Sequence, residues 1–385
     1  MPSPLREQRG LQSLLPGIIA ALAAAAEIAV LLVRSYHGNP AGLALVGTDF
    51  SDRAALPSWI PQVRGPGYDG QFFLRLALDP FDLHKVAFGI HFDDPYRAQR
   101  LGFPFLAWLL ALGHPRAVVW TMPLLEIVAA AGIAMGVTTL LSGHRFASLY
   151  GMSAALWQGY AFSYGRDLAE PVAASLVILG VLAIERWNQP LLGTVAFVAA
   201  VATLETELVI VGSYGIYWLW QSWQRRTFQP RLIVGIIPAL AWLGIDRVAT
   251  AASGGDAALS DLRANLGIPL VTQLDALRLH LALTPIDLTW LGQFLVVVIG
   301  ATIGLIRLRS SQAPAPLRIA LIAMIVLALM VAPIDWNPFN GFRQLDLLWL
   351  TSVLVVGSTE NPPWWIPLLG IAAWLATASI VTHLL

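Results

Sequence analysis

One acidic residue stands out because of the segment that it precedes. Asp69 follows the run 64–67, in which glycine and proline favour a tight turn. The apolar residues of 72–77 then recur at helical spacing, which predicts a short helix lying in a membrane interface, and 82–90 is a second candidate for such a helix. At the start of the first helix, the carboxylate could carry out chemistry or simply accept hydrogen bonds from backbone N–H groups.

Further acidic residues open or interrupt apolar stretches. Asp167 and Glu170 stand three positions apart at the start of one stretch, a spacing that places two side chains on one helical face. Glu205 lies between two apolar stretches. The structural alternatives are acids favoured in the first turn of a helix and, for Glu205, a solvated hairpin turn. Glu126 lies inside an apolar run, where an acid is a functional candidate, although a structural hydrogen bond explains it equally well.

Basic residues stand beside these acids in the sequence. Arg97 and Arg100 immediately precede the second apolar run, and Arg343 opens a late one. Arginine at a membrane interface is suited to holding a phosphate or pyrophosphate, although a snorkelling anchor is its commoner role. His280 and His84 lie in polar loops. Lone histidines are usually structural, and His280 is retained as a candidate for substrate binding.

The composition indicates an integral membrane protein. The chain has 385 residues, of which 57% are hydrophobic and 12% charged, whereas soluble domains carry about 25% charged residues. A net charge of zero argues against a nucleic-acid partner, and the absence of cysteine excludes disulfides and thiolate metal sites. The sequence has no P-loop, no His-Glu-x-x-His and no Gly-x-Ser-x-Gly motif. If the chain is an enzyme, its donor substrate is therefore expected to be carried by a lipid.

Apolar runs predict an all-α fold, a polytopic transmembrane helical bundle of about ten to twelve spans in a single domain, 1–385. Two polar insertions interrupt the runs, at 34–100 and 251–288, and the first holds seven acidic and seven basic residues. Arginines in the short loops place both insertions on the extracytoplasmic side. The predicted runs are 12–33, 101–113, 117–141, 146–164, 168–185, 190–204, 206–223, 231–250, 289–306, 317–334, 343–357 and 363–384.

The order of these segments resembles the GT-C superfamily of integral membrane glycosyltransferases. In that family a first helix leads into a large extracytoplasmic loop with an acid at the head of a juxtamembrane helix, and segment 68–77 matches this pattern. The chain departs from the family at Gly70, where a second acid often stands. The other similar segments are 97–106 at the end of the loop, 164–171 at an acidic helix start, 191–207 with Glu205 in its polar position, and Phe342-Arg343 before a late helix.

The resemblance implies a chemistry and a set of partners. Asp69 would be the general base that takes a proton from an acceptor hydroxyl, while that oxygen displaces the phosphate of a polyprenyl-phosphate sugar with inversion. The acceptor would be a glycan, a lipid or a protein, and membrane lipids would surround the chain in the inner membrane of a bacterium, with the active site extracytoplasmic. Arg97, Arg100 and Arg343 would hold the leaving phosphate. Asp167 and Glu170 would orient the acceptor or, with Asp69, bind a divalent metal such as Mg or Mn, and no other cofactor is implied.

Two other functions compete with this one. A transporter or flippase for lipid-linked sugars predicts charges distributed along helices that line a path. Most charges here lie in loops, which favours the enzyme. A membrane acyltransferase requires an embedded histidine beside an acid, and the sequence shows no such pair.

Overall fold

A computed structural model describes residues 4–254, 266–279, 283–331 and 342–384. The prediction of an all-α protein is confirmed, because helices form nearly all of the regular structure in these ranges. The helices are α1 Pro4–Arg34, α2 Gly70–Leu78, α3 Gly102–Leu110, α4 Pro115–Leu140, α5 Ala147–Ala155, α6 Gln158–Tyr164, α7 Glu170–Glu185, α8 Pro190–Thr203, α9 Leu208–Arg225, α10 Ile233–Ser253, α11 Val271–Leu279, α12 Pro285–Arg307, α13 Ala315–Met330, α14 Asp346–Gly357 and α15 Trp365–Leu384.

Five segments in the described ranges are long and apolar enough to cross a membrane, which supports the prediction of a membrane protein. They are Ser13–Arg34, Pro115–Leu140, Pro230–Ser253, Pro285–Arg307 and Trp365–His383. The other runs that were predicted as spans form shorter helices. Run 146–164 is divided at Leu156 into α5 and α6, and neither helix exceeds nine residues. Ten to twelve spans are therefore not established.

Glycines that accept larger side chains at close range help to hold α1, α4 and α7 together. A Cβ atom on Gly17 would lie 2.4 Å from Met135 Cγ, and a Cβ atom on Gly136 would lie 2.2 Å from Ile178 Cγ2. Only glycine permits this approach, as expected where helices pack without a hydrophobic driving force in lipid. Gly17 near the start of α1 thus meets the end of α4. The two helices are antiparallel, so the end of α1 and the start of α4 lie at the same end of the bundle.

The 34–100 segment folds over that end and encloses α2. All nine residues of α2 are buried, so the prediction that this helix lies in the membrane interface is wrong. Gln71 ties the helix to its own loop, because its Oε1 accepts from the Gly47 N–H at 3.0 Å and its Nε2 donates to the Pro66 carbonyl at 2.9 Å. The buried Arg75 donates to the Asp82 carbonyl at 2.7 Å. Polar loop segments can cover an apolar helix when their backbone groups are satisfied in this way.

Residues 82–90 do not form the second predicted helix. They contribute to a short antiparallel hairpin, in which strand β1 Val86–Ala87 pairs with β2 Ile90–His91. Gly89 lies between the strands with a φ of 73°, a conformation that glycine adopts without strain. Phe92, which follows β2, lies 4.2 Å from the Arg75 guanidinium and completes the cover over α2.

Candidate functional site

Asp69 lies between two guanidinium groups rather than capping α2. Its Oδ1 is 3.1 Å from Nη2 of Arg97, and its Oδ2 accepts a hydrogen bond from Nη2 of Arg343 at 2.6 Å. Although Asp69 immediately precedes α2, its side chain makes no capping hydrogen bond. The structural alternative for this residue is therefore wrong, because both carboxylate oxygens are directed to cations.

Arg343 bridges the loop acid to an acid of the helical bundle. Its Nη1 donates to Glu170 Oε1 at 3.0 Å, and Glu170 Oε2 accepts from the Ser163 hydroxyl at 3.1 Å. The side chain of Arg343 is 7% exposed and that of Glu170 is 5% exposed. Charges this far from water interact strongly when they are paired and are costly when they are not. Residues that are 274 positions apart in the chain, Asp69 and Arg343, are thus joined directly.

Arg97 and Arg100 extend this arrangement in two directions. Arg97 Nε and Nη2 donate to the two oxygens of Asp93, each at 3.0 Å. Arg100 does not reach Asp69 and instead forms a two-pronged pair with Glu205, in which its Nε donates to Oε2 at 2.9 Å. Both guanidiniums also face the Tyr96 ring. Glu205 is therefore an ion-pair partner in a 3₁₀ turn, Glu205–Glu207, and not a solvated turn residue. We call Asp69, Arg97, Arg343, Glu170, Arg100, Glu205 and Asp93 the paired network.

Two glycines allow the backbones that carry this network to touch. A Cβ atom on Gly70 would lie 2.1 Å from the Arg166 carbonyl oxygen, so no other side chain fits where the GT-C pattern often has a second acid. A Cβ atom on Gly159 in α6 would lie 2.6 Å from the Cα atom of Arg343. The Trp157 indole donates to the Phe342 carbonyl at 2.8 Å and fixes the same stretch of backbone. The positions of Asp69 and Arg343 therefore depend on direct backbone packing.

Aromatic rings line one side of the network. The Arg343 guanidinium lies 5.4 Å from the centre of the Tyr68 ring, which packs edge-on against Phe162 at 5.2 Å. Arg166 lies 3.7 Å from the same Phe162 ring. Such cation–π contacts hold arginine side chains in place without consuming their hydrogen bonds. The spacing in the sequence gave no sign of Tyr68 and Phe162 meeting, because 94 positions separate them.

Asp167 is close in sequence to the network but does not join it. The predicted shared face with Glu170 is wrong, because α7 begins at Glu170 and Asp167 adopts a left-handed conformation, with φ at 50°. The side chain is 1% exposed, and neither oxygen has a hydrogen-bond partner among the described residues. Glu207, only two residues from Glu205, is likewise fully buried and unpartnered within those ranges. We call Asp167 and Glu207 the unpaired carboxyls.

The surroundings shift the acidity of these groups in opposite directions. Burial alone would raise the pKa of Asp69, but the charges of Arg97 and Arg343 outweigh it and hold that pKa well below its usual range. Glu205 has its pKa lowered in the same way, since Arg100 outweighs burial. Burial raises the pKa of Asp167 and, together with nearby Asp346 and Glu170, that of Glu207. Asp69 and Glu205 therefore favour their ionised form, whereas the unpaired carboxyls favour their protonated form.

The metal-binding prediction named Asp69, Asp167 and Glu170. In the described part of the chain, no three His, Cys, Asp or Glu side chains come together in a group that could hold a metal ion. The Arg343 guanidinium stands between Asp69 and Glu170, and Asp167 faces neither. A metal at this site would therefore have to displace or supplement Arg343.

Other predicted residues fall outside the network or outside the described residues. His280 is not among the described residues. His84 is exposed and pairs with Asp82 at 2.8 Å. Glu126 is buried inside α4, where the N–H of Leu168 lies nearby without forming a hydrogen bond of good geometry. Asp93 was missed, although its position four residues before Arg97 is a spacing at which opposite charges pair.

Comparison with protein-family models, curated proteins and solved structures finds no match to this chain.

Proposed function

We propose that the chain is a membrane glycosyltransferase that moves a sugar from a polyprenyl-phosphate donor to an acceptor hydroxyl. One observation carries the proposal: Asp69, at the head of α2, makes no capping bond and is held between Arg97 and Arg343. An ordinary helix cap would not require a buried arginine from a distant segment. A carboxylate beside two guanidiniums is what a site needs in order to take a proton and hold a departing phosphate.

The reaction assigns each group a role. The acceptor oxygen attacks the anomeric carbon, the bond from that carbon to the phosphate oxygen breaks, and Asp69 takes the acceptor proton. Arg97 and Arg343 hold the polyprenyl phosphate that leaves, while Glu170 keeps Arg343 in position through its 3.0 Å hydrogen bond. A single displacement of this kind inverts the anomeric centre.

Both arginines already hold carboxylates in this structure, so the donor phosphate must compete with Asp69 for them. The low pKa of Asp69 makes it a weak base while both pairs are intact. When the substrate is bound, its phosphate would draw the guanidinium groups away from Asp69. The pKa of the Asp69 carboxyl would then rise. Donor binding and activation of the base are then linked by the same two arginines.

The location of the site fits a lipid-borne donor. The network lies at the end of the bundle where α1 ends and α4 begins, and both helices contain candidate membrane spans. The proposed setting is a multi-pass protein of a bacterial inner membrane with this end facing the extracytoplasmic side. A polyprenyl chain can then lie among apolar helices while its phosphate reaches the arginines.

Sugar transfer in membranes tests the proposal. Wild type, Asp69→Asn and Asp49→Asn are expressed at matched levels and supplied with radiolabelled polyprenyl-phosphate sugars and extracted acceptors. Asp49 is exposed in the same loop and outside the network, so its substitution controls for loss of an acid as such. We expect transfer in wild type and Asp49→Asn and its loss in Asp69→Asn. Full transfer by Asp69→Asn would exclude Asp69 as the base.

A specific observation favours a second function, transport of a lipid-linked sugar. Glu27 and Glu126 are buried within candidate spans, and neither carboxylate has a hydrogen-bond partner among the described residues. Buried acids inside a membrane commonly mark ion or substrate pathways. In reconstituted vesicles, a transporter would move the labelled lipid between leaflets without an acceptor, whereas the enzyme would release the sugar to one.

A further inference from the structure

An exposed aromatic and aliphatic surface lies beside the loop that carries Asp69. Phe81 follows α2 and is 71% exposed, and Leu112 follows α3 and is 81% exposed. Between them in space, the outer face of α3 contributes Phe105, Leu109 and Leu110, all exposed. We call these five residues the apolar edge.

Ring packing shows that the apolar edge is one continuous surface. The Phe81 ring meets Trp108 edge-on at 5.3 Å and Phe105 at 6.4 Å, and Phe105 stacks on Trp108 at 5.9 Å. Phe81 is set in place by its own turn, in which its N–H donates to Asp79 Oδ1 at 3.0 Å. A loop residue is thus held against a helix that begins 21 positions further along the chain, with its ring outward.

Helix α3 itself is too short to cross a bilayer. Its nine residues extend about 13 Å, compared with a hydrocarbon core of about 30 Å. One face, including Phe103 and Ala107, is buried against the protein, and the Thr121 hydroxyl of α4 donates to the Ala107 carbonyl at 2.8 Å. The two helices form a hairpin whose second arm is a candidate span.

The apolar edge continues onto the exposed face of a candidate membrane span. On α4, Trp120, Leu124 and Val128 are exposed at helical spacing along the candidate span. An apolar area that is joined to a membrane-facing helix is expected to be covered by the same lipid.

The turn at Leu112 and Gly113, which follows α3, supports the same conclusion. Leu112 has a φ of 51°, in the left-handed region that leucine rarely adopts, and Gly113 follows with a φ of 75°. This turn leaves the Leu112 side chain pointing outward. An exposed basic residue stands four positions after each of two residues of the apolar edge. Lys85 follows Phe81 in this way, and Arg116 follows Leu112. Basic side chains at such positions reach lipid phosphates.

We propose that the apolar edge inserts into the interface of the phospholipid bilayer and that Phe81 and Leu112 are its two anchors. The inference does not depend on the glycosyltransferase proposal. The sequence predicted that α2 contacts the membrane interface. In this proposal Phe81 and α3 make that contact instead. Because α2 packs against α3, through Phe73 and Phe103 with ring centres 5.8 Å apart, these anchors fix the distance of the Asp69 carboxylate from the bilayer.

Single-cysteine labelling tests this in the full chain, which contains no native cysteine. Phe81→Cys, Leu112→Cys, Ala54→Cys and Leu22→Cys are labelled with an environment-sensitive fluorophore and reconstituted in phospholipid vesicles. Quenching is measured with nitroxide-bearing phospholipids and with aqueous iodide. Ala54 is exposed in the same loop away from the apolar edge, and Leu22 is exposed on the α1 span, so they give the water and lipid limits.

We expect labels at positions 81 and 112 to be quenched by lipid nitroxides several-fold more than the label at position 54, and several-fold less by iodide. Iodide quenching equal to that at position 54 at both positions would overturn the proposal. Resistance to both quenchers would also overturn it, because another protein surface would then cover the apolar edge. Two independent positions ensure that misfolding of one variant does not decide the result.

Discussion

Glu205 and Glu207 are two residues apart, both largely out of solvent, and yet they belong to different electrostatic regions. Glu205 pairs with Arg100 through both oxygens, whereas Glu207 has no hydrogen-bond partner within the described ranges. The same contrast separates Asp69 from Asp167. At Asp69 and Glu205, arginine charge outweighs burial and lowers the pKa of the carboxyl. At the unpaired carboxyls nothing compensates, so the neutral form is favoured.

The comparison teaches where the chemistry can lie. An ionised carboxylate between arginines can bind, orient and accept a proton when a ligand changes its surroundings. A carboxyl that already holds its proton can donate one hydrogen bond but cannot act as an anion. Burial alone therefore does not identify functional acids in this chain. Under the proposed function the arginine partner identifies them, and for Asp69 and Glu205 such a partner, Arg343 or Arg100, comes from a distant segment of the sequence.

The largest effect is expected from removing the arginine that joins the two acids. Arg343→Ala leaves Asp69 and Glu170 buried without their shared partner, which costs about 3–5 kcal/mol in the free energy of unfolding. Thermal unfolding in detergent measures the loss, and Arg309→Ala, at an exposed position, is the control. If Arg343→Ala is as stable as the control, the paired network does not hold the loop to the bundle.

A direct test of the comparison is the same substitution at the two neighbouring glutamates. Glu205→Gln removes the charge that compensates Arg100 and is expected to destabilise the chain by about 2 kcal/mol, the scale of a hydrogen bond to a charged group. Glu207→Gln resembles the protonated acid already favoured at this position, so its loss of stability should be smaller than that of Glu205→Gln. Equal losses in the two variants would remove the distinction between the regions.

The backbone contact beneath Asp69 gives a third prediction. Gly70→Ala places a Cβ atom against the Arg166 carbonyl, and relieving such overpacking costs about 1–3 kcal/mol. The same shift moves Asp69 away from Arg343. The variant should therefore bind a phosphonate analogue of the donor more weakly, in addition to being less stable. Gly292→Ala is the control, since nothing lies within 4 Å of its added Cβ atom. If Gly70→Ala is as stable as wild type and binds the analogue equally well, the backbones at Gly70 and Arg166 can separate without consequence.

The last effect, a difference in pH dependence, accumulates gradually as the pH changes. Above about pH 4 the unfolded chain releases the Asp167 proton, while the folded chain keeps it, because burial raises the folded pKa. The unfolded state then binds fewer protons, so Asp167 makes stability fall as pH rises through this window, by at most about 1.4 kcal/mol per pH unit. Asp69, with its lowered pKa, contributes stability that is present above about pH 4 and lost as pH falls.

Unfolding of wild type and Asp167→Asn between about pH 4 and about pH 7 measures this contribution. Because the asparagine side chain has no proton to lose, the variant should gain stability relative to wild type as the pH rises. Parallel curves for the two proteins would show that the Asp167 carboxyl has the same pKa in the folded and the unfolded chain.

The sequence alone determined the helical class, the membrane character and most of the residues that matter at the site. The length of a hydrophobic run predicts a helix directly, because each residue in the run contributes to local burial and hydrogen bonding. It also singled out Asp69, Arg97, Glu170 and Arg343 as candidates, since charge is scarce in such a chain. The spacing of four residues between Asp93 and Arg97 could also have identified their local pair, although Asp93 was missed.

Only the tertiary structure decided which of these charges meet and which apolar surfaces stay exposed. Helical periodicity made α2 look like an interfacial helix, but the loop folds over it and buries every residue, while α3 and Phe81 take the exposed position. Pairing of Asp69 with Arg343 depends on Gly70 and Gly159 letting backbones touch, a fact of packing that no local pattern encodes. Whether a buried acid is ionised depends in turn on that pairing, since the energy of a charge away from water is set by its nearest partners.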